Sequence, residues 1–225
     1  MRGVTLGVKK GEFVALMGRT GCGKTTLLLT LNGVIPKTIA GDFGGAVSVF
    51  GENVGGRSVA EMASRVAFVF QDANDQLFCE AARDEIAFGL KLRGIGEKET
   101  SRRVKESLRA VGLAGFEERD PFSLSQGQKQ KLCLATAIAS GAPLLALDEP
   151  VASLDYENAK HVYSILEKLK RGGKTIIAVE HDSEFAAKHA DRVVILENGA
   201  VAEDASAASL LRSKRVERYG IKRLK

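Results

Sequence analysis

The stretch GRTGCGKTT, residues 18–26, has the residue types and the spacing to hold a triphosphate. It fits G-x-x-x-x-G-K-[ST], and it lies between EFVALMG (12–18), which reads as a buried strand, and KTTLLLTLNG (24–33), which reads as a helix. Glycines let successive backbone N–H groups turn inward, so Gly18, Arg19, Thr20, Gly21, Cys22, Gly23, Lys24, Thr25 and Thr26 form a phosphate cradle. The helix N-terminus behind them adds its partial positive charge. Lys24 is spaced to reach the β- and γ-phosphates, and the Thr25 hydroxyl to ligate Mg²⁺. Cys22 is expected to present a thiol that reacts unless nucleotide covers it. A nucleoside triphosphate calls for a second, acidic element, and LLALDEP (144–150) supplies one: an apolar strand ending in two carboxylates. Asp148 at the strand tip is placed to hold the metal through its water shell, and Glu149 to orient or deprotonate the attacking water.

A third stretch, LSQGQKQ (124–130), admits two readings. Ser125 and Gln128 make an S-x-x-Q capping box ahead of the apolar run LCLATAIA. The same helix start, with Gly127 at its mouth, is also a place for an anion.

The elements that must position these residues follow from periodicity. RVAFVF (65–70), LLAL (144–147), KTIIAVE (174–180) and RVVILENG (192–199) read as buried strands, and the Gly-rich GDFGGAVSVFGENV (41–54) as an antiparallel hairpin. From about residue 80 to 140 the pattern is helical, with Val104, Leu108 and Val111 at helical spacing. A later helix carries Ala159, Val162, Tyr163, Leu166 and Leu169 on one face and ends at Gly172–Gly173. Strand–helix alternation on both sides of an all-helical block predicts an α/β fold. Residues 1–70 and 141–225 form a parallel-sheet core with a small antiparallel β subdomain; residues 71–140 form an inserted helical subdomain.

Composition narrows the function classes. No apolar run approaches the length of a membrane span, and the N-terminal residues lack the apolar core of a signal peptide. Three cysteines without a C-x-x-C pair predict reduced thiols and a cytosolic body. The net charge of +5 is concentrated in RSKRVERYGIKRLK (212–225), whose seven Lys or Arg against one Glu make +6 and leave −1 for the rest. A body without basic bias argues against a nucleic-acid partner. The tail is expected to be a solvated end, the functional alternative being contact with anionic lipid headgroups.

Taken together, the cradle, the Asp148–Glu149 pair and LSQGQ resemble the ATP-binding cassette family, over nearly the whole chain. Gln71 after a strand, SLD (153–155) after the acidic pair and His181 after TIIAVE complete its set of motifs. The resemblance implies a P-loop ATPase core, ATP and Mg²⁺ as ligands, and a dimer with a second, identical or paralogous, ATPase subunit. Gln71 then couples metal and water to the helical insertion, with Thr25 and Asp148 as the other metal contacts, and His181 bonds the γ-phosphate. Asp155 lies in the loop that crosses the dimer interface. Ser125, Gln126, Gly127 and Gln128 close over an ATP held by the partner, and Gln126 stands where the family more often has Gly. His161 and His189 match nothing and are expected on helix surfaces.

A narrower likeness rests on VFQDANDQLFCEAARDEIAFGL (69–90), with Asp75, Gln76, Leu77 and Phe78 after Gln71. It resembles the ATPases of energy-coupling-factor importers for vitamins or cobalt and nickel ions. This implies a transmembrane coupling subunit docking near residues 71–90, a separate membrane substrate-binding subunit, and a peripheral place on the cytoplasmic face of the membrane. The alternatives are another cassette importer or exporter and a non-transport regulatory cassette. A chromosome-organising ATPase would separate cradle from signature by a long coiled coil, and no heptad run lies between Lys24 and Ser125. In the family an aromatic side chain on a strand ahead of the VTLGVKKGE segment stacks on adenine. Phe13 belongs to a predicted buried strand instead, so these residues are expected to discriminate poorly between ATP and GTP.

Overall fold

The computed structural model describes residues 1–152 and 154–225. Its strands are β1 (Phe13–Met17), β2 (Ser48–Val49), β3 (Glu52–Asn53), β4 (Val66–Val69), β5 (Leu144–Asp148), β6 (Thr175–Val179), β7 (Arg192–Glu197) and β8 (Ala200–Ser206). Six of them form one sheet in the order β4-β5-β6-β1-β7-β8, parallel throughout except for the β7–β8 pair. Every residue of β1, β5 and β6 is buried, which is why these strands appear as continuous apolar runs rather than alternating ones. The hairpin expected over 41–54 shrinks to the two-residue strands β2 and β3. β8 carries no run of buried apolar side chains, because it is an edge strand that the sheet covers on one side only.

The helices are α1 (Lys24–Leu31), α2 (Val34–Lys37), α3 (Val59–Met62), α4 (Ala82–Leu92), α5 (Glu97–Ala110), α6 (Gln126–Ser140), α7 (Tyr156–Arg171), α8 (Ser183–His189) and α9 (Ala207–Leu210). One face of the sheet, with Val69, Leu147 and Ala178, packs on α7 and on the α4–α5–α6 block through Leu132, Leu108, Ile86 and Leu166. The opposite face, with Val14, Leu16 and Val179, packs on α1 and the β2–β3 corner through Leu28, Val49 and Val54. A third cluster differs from expectation: the basic C-terminal segment is not simply solvated. Val216, Tyr219 and Ile221 are buried against Met17, Val193 and Ile195, while Arg215 and Arg218 pair with Glu203 and Lys222 with Glu184. The cations face water and the apolar residues between them face the sheet.

Candidate active site

All the predicted site residues on the core sit at one end of the sheet, and strand register puts them level. Val69 pairs with Leu147, Asp148 with Val179, and Leu16 with Val179. The next residues along those parallel strands are the Gln71 loop, Glu149, His181 and the cradle. In parallel α/β sheets, the carboxyl ends of the strands are where ligands bind.

The cradle turns at Gly18, whose φ is +131°; a Cβ there would lie 2.2 Å from the Leu196 carbonyl oxygen, so only glycine fits. The Lys24 ammonium is buried within the loop and donates to the carbonyls of Gly18 (2.8 Å) and Arg19 (3.2 Å). α1 begins at Gly23 with no side-chain cap and no acidic residue in its first turn. Its N–H groups therefore face a ligand position without a competing protein oxygen. Two members of the set point elsewhere. The Arg19 guanidinium donates to the Arg218 carbonyl at 3.3 Å, and the Cys22 side chain is buried in the core with Val14, Leu16 and Leu28. The Cys22 thiol is thus buried rather than presented at the ligand face of the loop.

Glu149 stands between the two other chemical groups. Its carboxylate accepts from Gln71 Nε2 at 3.1 Å and meets His181 Nε2 at 2.8 Å. Its φ of +49° is uncommon for a side chain of this size and is the kind of local strain found at functional sites. Beside it Asp148 is only 3% exposed, and burial first, then the Glu149 charge, pushes its carboxyl above the usual range, against the Thr25 hydroxyl and the Lys24 charge. Asp148 Oδ1 has no hydrogen-bond partner. A buried carboxylate oxygen without a donor, next to a threonine hydroxyl, fits a hard divalent cation such as Mg²⁺.

The structure realises the capping reading of LSQGQKQ. Ser125 Oγ accepts from the Gln128 N–H at 3.3 Å and Gln128 Oε1 from the Ser125 N–H at 3.0 Å, closing the capping box. The Gln126 side chain turns back to the Gln71 loop, donating to Asp72 (3.3 Å) and accepting from Asn74 (3.5 Å). Gly127 abuts Leu154: a Cβ there would lie 3.0 Å from its Cδ2. Asp155 caps α7, accepting from the Asn158 N–H at 2.8 Å, and Lys131 of α6 reaches the Asn158 side chain. Ser153 lies outside the described residues. No hydrogen bond among the described residues joins 125–128 to the cradle.

Sequence reasoning missed three groups. Gln130, buried on α6, donates to the Phe70 carbonyl (3.3 Å) while Gln76 accepts the Phe70 N–H (3.2 Å), so the strand end that carries Gln71 is held on both sides. Glu180 is buried under His181. His189, expected on a surface, is buried; its ring stacks on Tyr163 with centroids 4.7 Å apart and its Nδ1 meets Glu167 at 2.6 Å. His161 is exposed, as expected.

Comparison with known proteins follows the same outline. The family described as ABC transporter matches residues 1–152. An ABC transporter ATP-binding protein of Pyrococcus abyssi is 40% identical over 224 residues, covering 99% of this chain and 80% of that protein. The energy-coupling factor transporter ATP-binding protein EcfA of Methanothermobacter thermautotrophicus is 36% identical over 226 residues, covering 100% of this chain and 71% of its own. Some relatives are longer, and the chain spans 34% and 32% of two of them. Among solved structures, the dimeric post-hydrolysis state of the ATP-binding cassette MJ0796 bound to ADP and Pi superposes with a TM-score of 0.80 at 28% identity, covering 91% of this chain and 89% of that one. Among the described residues no helix is long and apolar enough to cross a membrane.

Proposed function

Because the chain belongs to the ABC transporter family and is an ATPase of it, we propose that it powers an energy-coupling-factor importer for metal ions or vitamins by ATP-driven closure of a dimer. The observation that carries the hydrolytic reading is Glu149 held between Gln71 and His181, above Asp148 and beside the Lys24 cradle. The triphosphate lies along Gly18–Thr26, with Lys24 against its β- and γ-oxygens. Thr25, Asp148 and Gln71 would hold Mg²⁺, which draws charge from those oxygens. Glu149 takes the proton of the attacking water, and His181 bonds the γ-phosphate. Ser125 and Gly127 complete the site of the partner ATPase subunit, and Asp155 lies between the two sites.

An exposed aromatic pair supports a membrane partner. Phe78 and Phe88 meet edge to face with centroids 4.9 Å apart, and Leu92 lies exposed one turn beyond Phe88. The buried Glu85 accepts the N–H groups of Phe78 and Cys79, both at 2.9 Å, and fixes the loop that presents Phe78. An apolar patch built on a rigid loop suits a helix of a transmembrane coupling subunit, with a separate membrane subunit carrying the substrate. The protein then works as a peripheral subunit on the cytoplasmic face of the membrane. Phosphate release from MgATP with Glu149→Gln tests the chemistry: turnover falls by roughly 10²–10⁴ while ATP stays bound in a stable dimer. Turnover near wild type removes Glu149 from the reaction. Purification from membranes, with identification of the subunits retained through Phe78 and Phe88, tests the importer reading against other cassette transporters.

A further inference from the structure

Glu180 is a buried acid that the reaction described above does not use. It is 3% exposed, at the end of β6, with no salt bridge to any cation among the described residues. Its environment is nevertheless complete. Oε2 accepts the backbone N–H groups of His181 and Asp182, each at 3.1 Å, and Oε1 accepts the Tyr163 hydroxyl from α7. Tyr163 is fully buried, and its ring stacks on the rings of Phe185 and His189 from α8, both 4.7 Å from its centroid, which limits its movement. Asp182 in turn caps α8 through the N–H groups of Glu184 (2.7 Å) and Phe185 (3.2 Å).

A carboxylate buried without a counter-charge is costly, and burial raises the Glu180 carboxyl as it does that of Asp148. An apolar residue would fill the place more cheaply unless the two N–H groups needed an acceptor. Those two donors belong to the turn that carries the His181 imidazole onto Glu149. An unpaired buried N–H is costly enough to let that turn sample other conformations.

We propose that Glu180 is a positioning residue for hydrolysis: clamped by Tyr163, it holds the backbone of His181 and Asp182 so that the imidazole stays within reach of Glu149 and the γ-phosphate. The inference rests on the role given to His181 above. What the clamp needs is two acceptor lone pairs in a fixed place, not a charge. Glu180→Gln therefore keeps the function, since its amide oxygen accepts both N–H groups and its NH₂ faces the Tyr163 oxygen. Glu180→Ala loses it.

Three measurements on the full chain test this. In amide hydrogen exchange, Glu180→Ala speeds exchange at His181 and Asp182 at least tenfold while Glu180→Gln does not; unchanged exchange in Glu180→Ala overturns the clamp. In MgATP hydrolysis, Glu180→Ala lowers kcat about tenfold with KM and the affinity for a fluorescent ATP analogue within twofold, and Glu180→Gln restores most of it. Equal losses in both variants, or a parallel loss of affinity, overturn the positioning role. Tyr163→Phe, which leaves the carboxylate but removes its anchor, gives an intermediate kcat and serves if the alanine variant does not fold. Finally, in a His181→Ala background Glu180→Ala adds no further loss of kcat; an additive loss means that Glu180 acts by another route. Wild-type turnover in His181→Ala itself would sink the γ-phosphate reading of His181 and the catalytic meaning of the clamp together, whereas the exchange result reports on the clamp alone.

Discussion

The molecule has two helix N-termini that the proposed function sets against phosphate, and they are built in opposite ways. α1 starts on Gly23 in a left-handed conformation, without a side-chain cap, and the buried Lys24 supplies a full positive charge at its mouth. α6 starts on Ser125 with both arms of a capping box closed, Gln126 bonded to Asp72, and Gly127 against Leu154. The first presents donors and a cation in its own chain. The second holds its Gln128 N–H with the Ser125 hydroxyl, so a partner's ligand must compete with that cap for it. A cradle must bind alone, whereas a closing surface must bind only when the other half of the site arrives. Uncapped and capped helix starts are the physical form of that difference.

Breaking each end should have a different signature. Lys24→Ala removes the one cation in the cradle loop that faces the phosphates, and ATP affinity of the isolated chain should fall roughly a hundredfold or more in a nucleotide titration. Gly127→Asp should leave that affinity within about twofold, yet abolish the MgATP-dependent dimer seen by sedimentation. Its Cβ meets Leu154 and its charge opposes the γ-phosphate. A Gly127→Asp chain that dimerises normally would remove the signature segment from the partner's site.

Stability should respond in opposite directions at the two ends. Asp148 is buried with an unpartnered oxygen and its folded pKa is raised. A raised carboxyl contributes stability that is full below its ordinary value near 3.9 and is lost as pH rises through the folded value. At pH 7 the charge is therefore a burden, and Asp148→Asn should raise the thermal midpoint by a few degrees while losing Mg²⁺-dependent hydrolysis. The gain should vanish toward pH 3; Glu180, raised in the same direction, is common to both chains and cancels. Ser125→Ala should do the reverse, lowering the midpoint by a few degrees, because losing such a cap costs about 1 kcal/mol. The smallest effect is reserved for Gln126→Gly. It frees the start of α6 from Asp72, and the concentration of MgATP that half-closes the dimer should fall about two- to threefold. An unchanged value would show that the Gln126–Asp72 contact does not hold the segment back.

Much of this site was legible in the chain because its chemistry is local. The Gly18–Thr26 spacing, the carboxylates after LLAL and the Ser125–Gln128 box are each settled within a few residues, and all three stand where that reading put them. The strands of the core were legible for the same reason, since burial on both faces leaves an unbroken apolar run. β8 escaped because an edge strand needs no such run, and the buried face of the C-terminal segment escaped because seven cations mask Val216, Tyr219 and Ile221. The Cys22 thiol is buried in a cluster with Val194 and Leu196, from a strand far along the chain that no motif records.

The sequence by itself determined the donors, the cation and the carboxylates, because phosphate and water select residue types at short, fixed spacings. Only the tertiary structure decided that Gln71, Glu149 and His181 would meet, that Gln126 would face Asp72, and that Glu180 and His189 would be buried around Tyr163. The physical reason is register. Three parallel strands from distant parts of the chain end at the same level, and a one-residue slip in any of them would send these side chains to the opposite face.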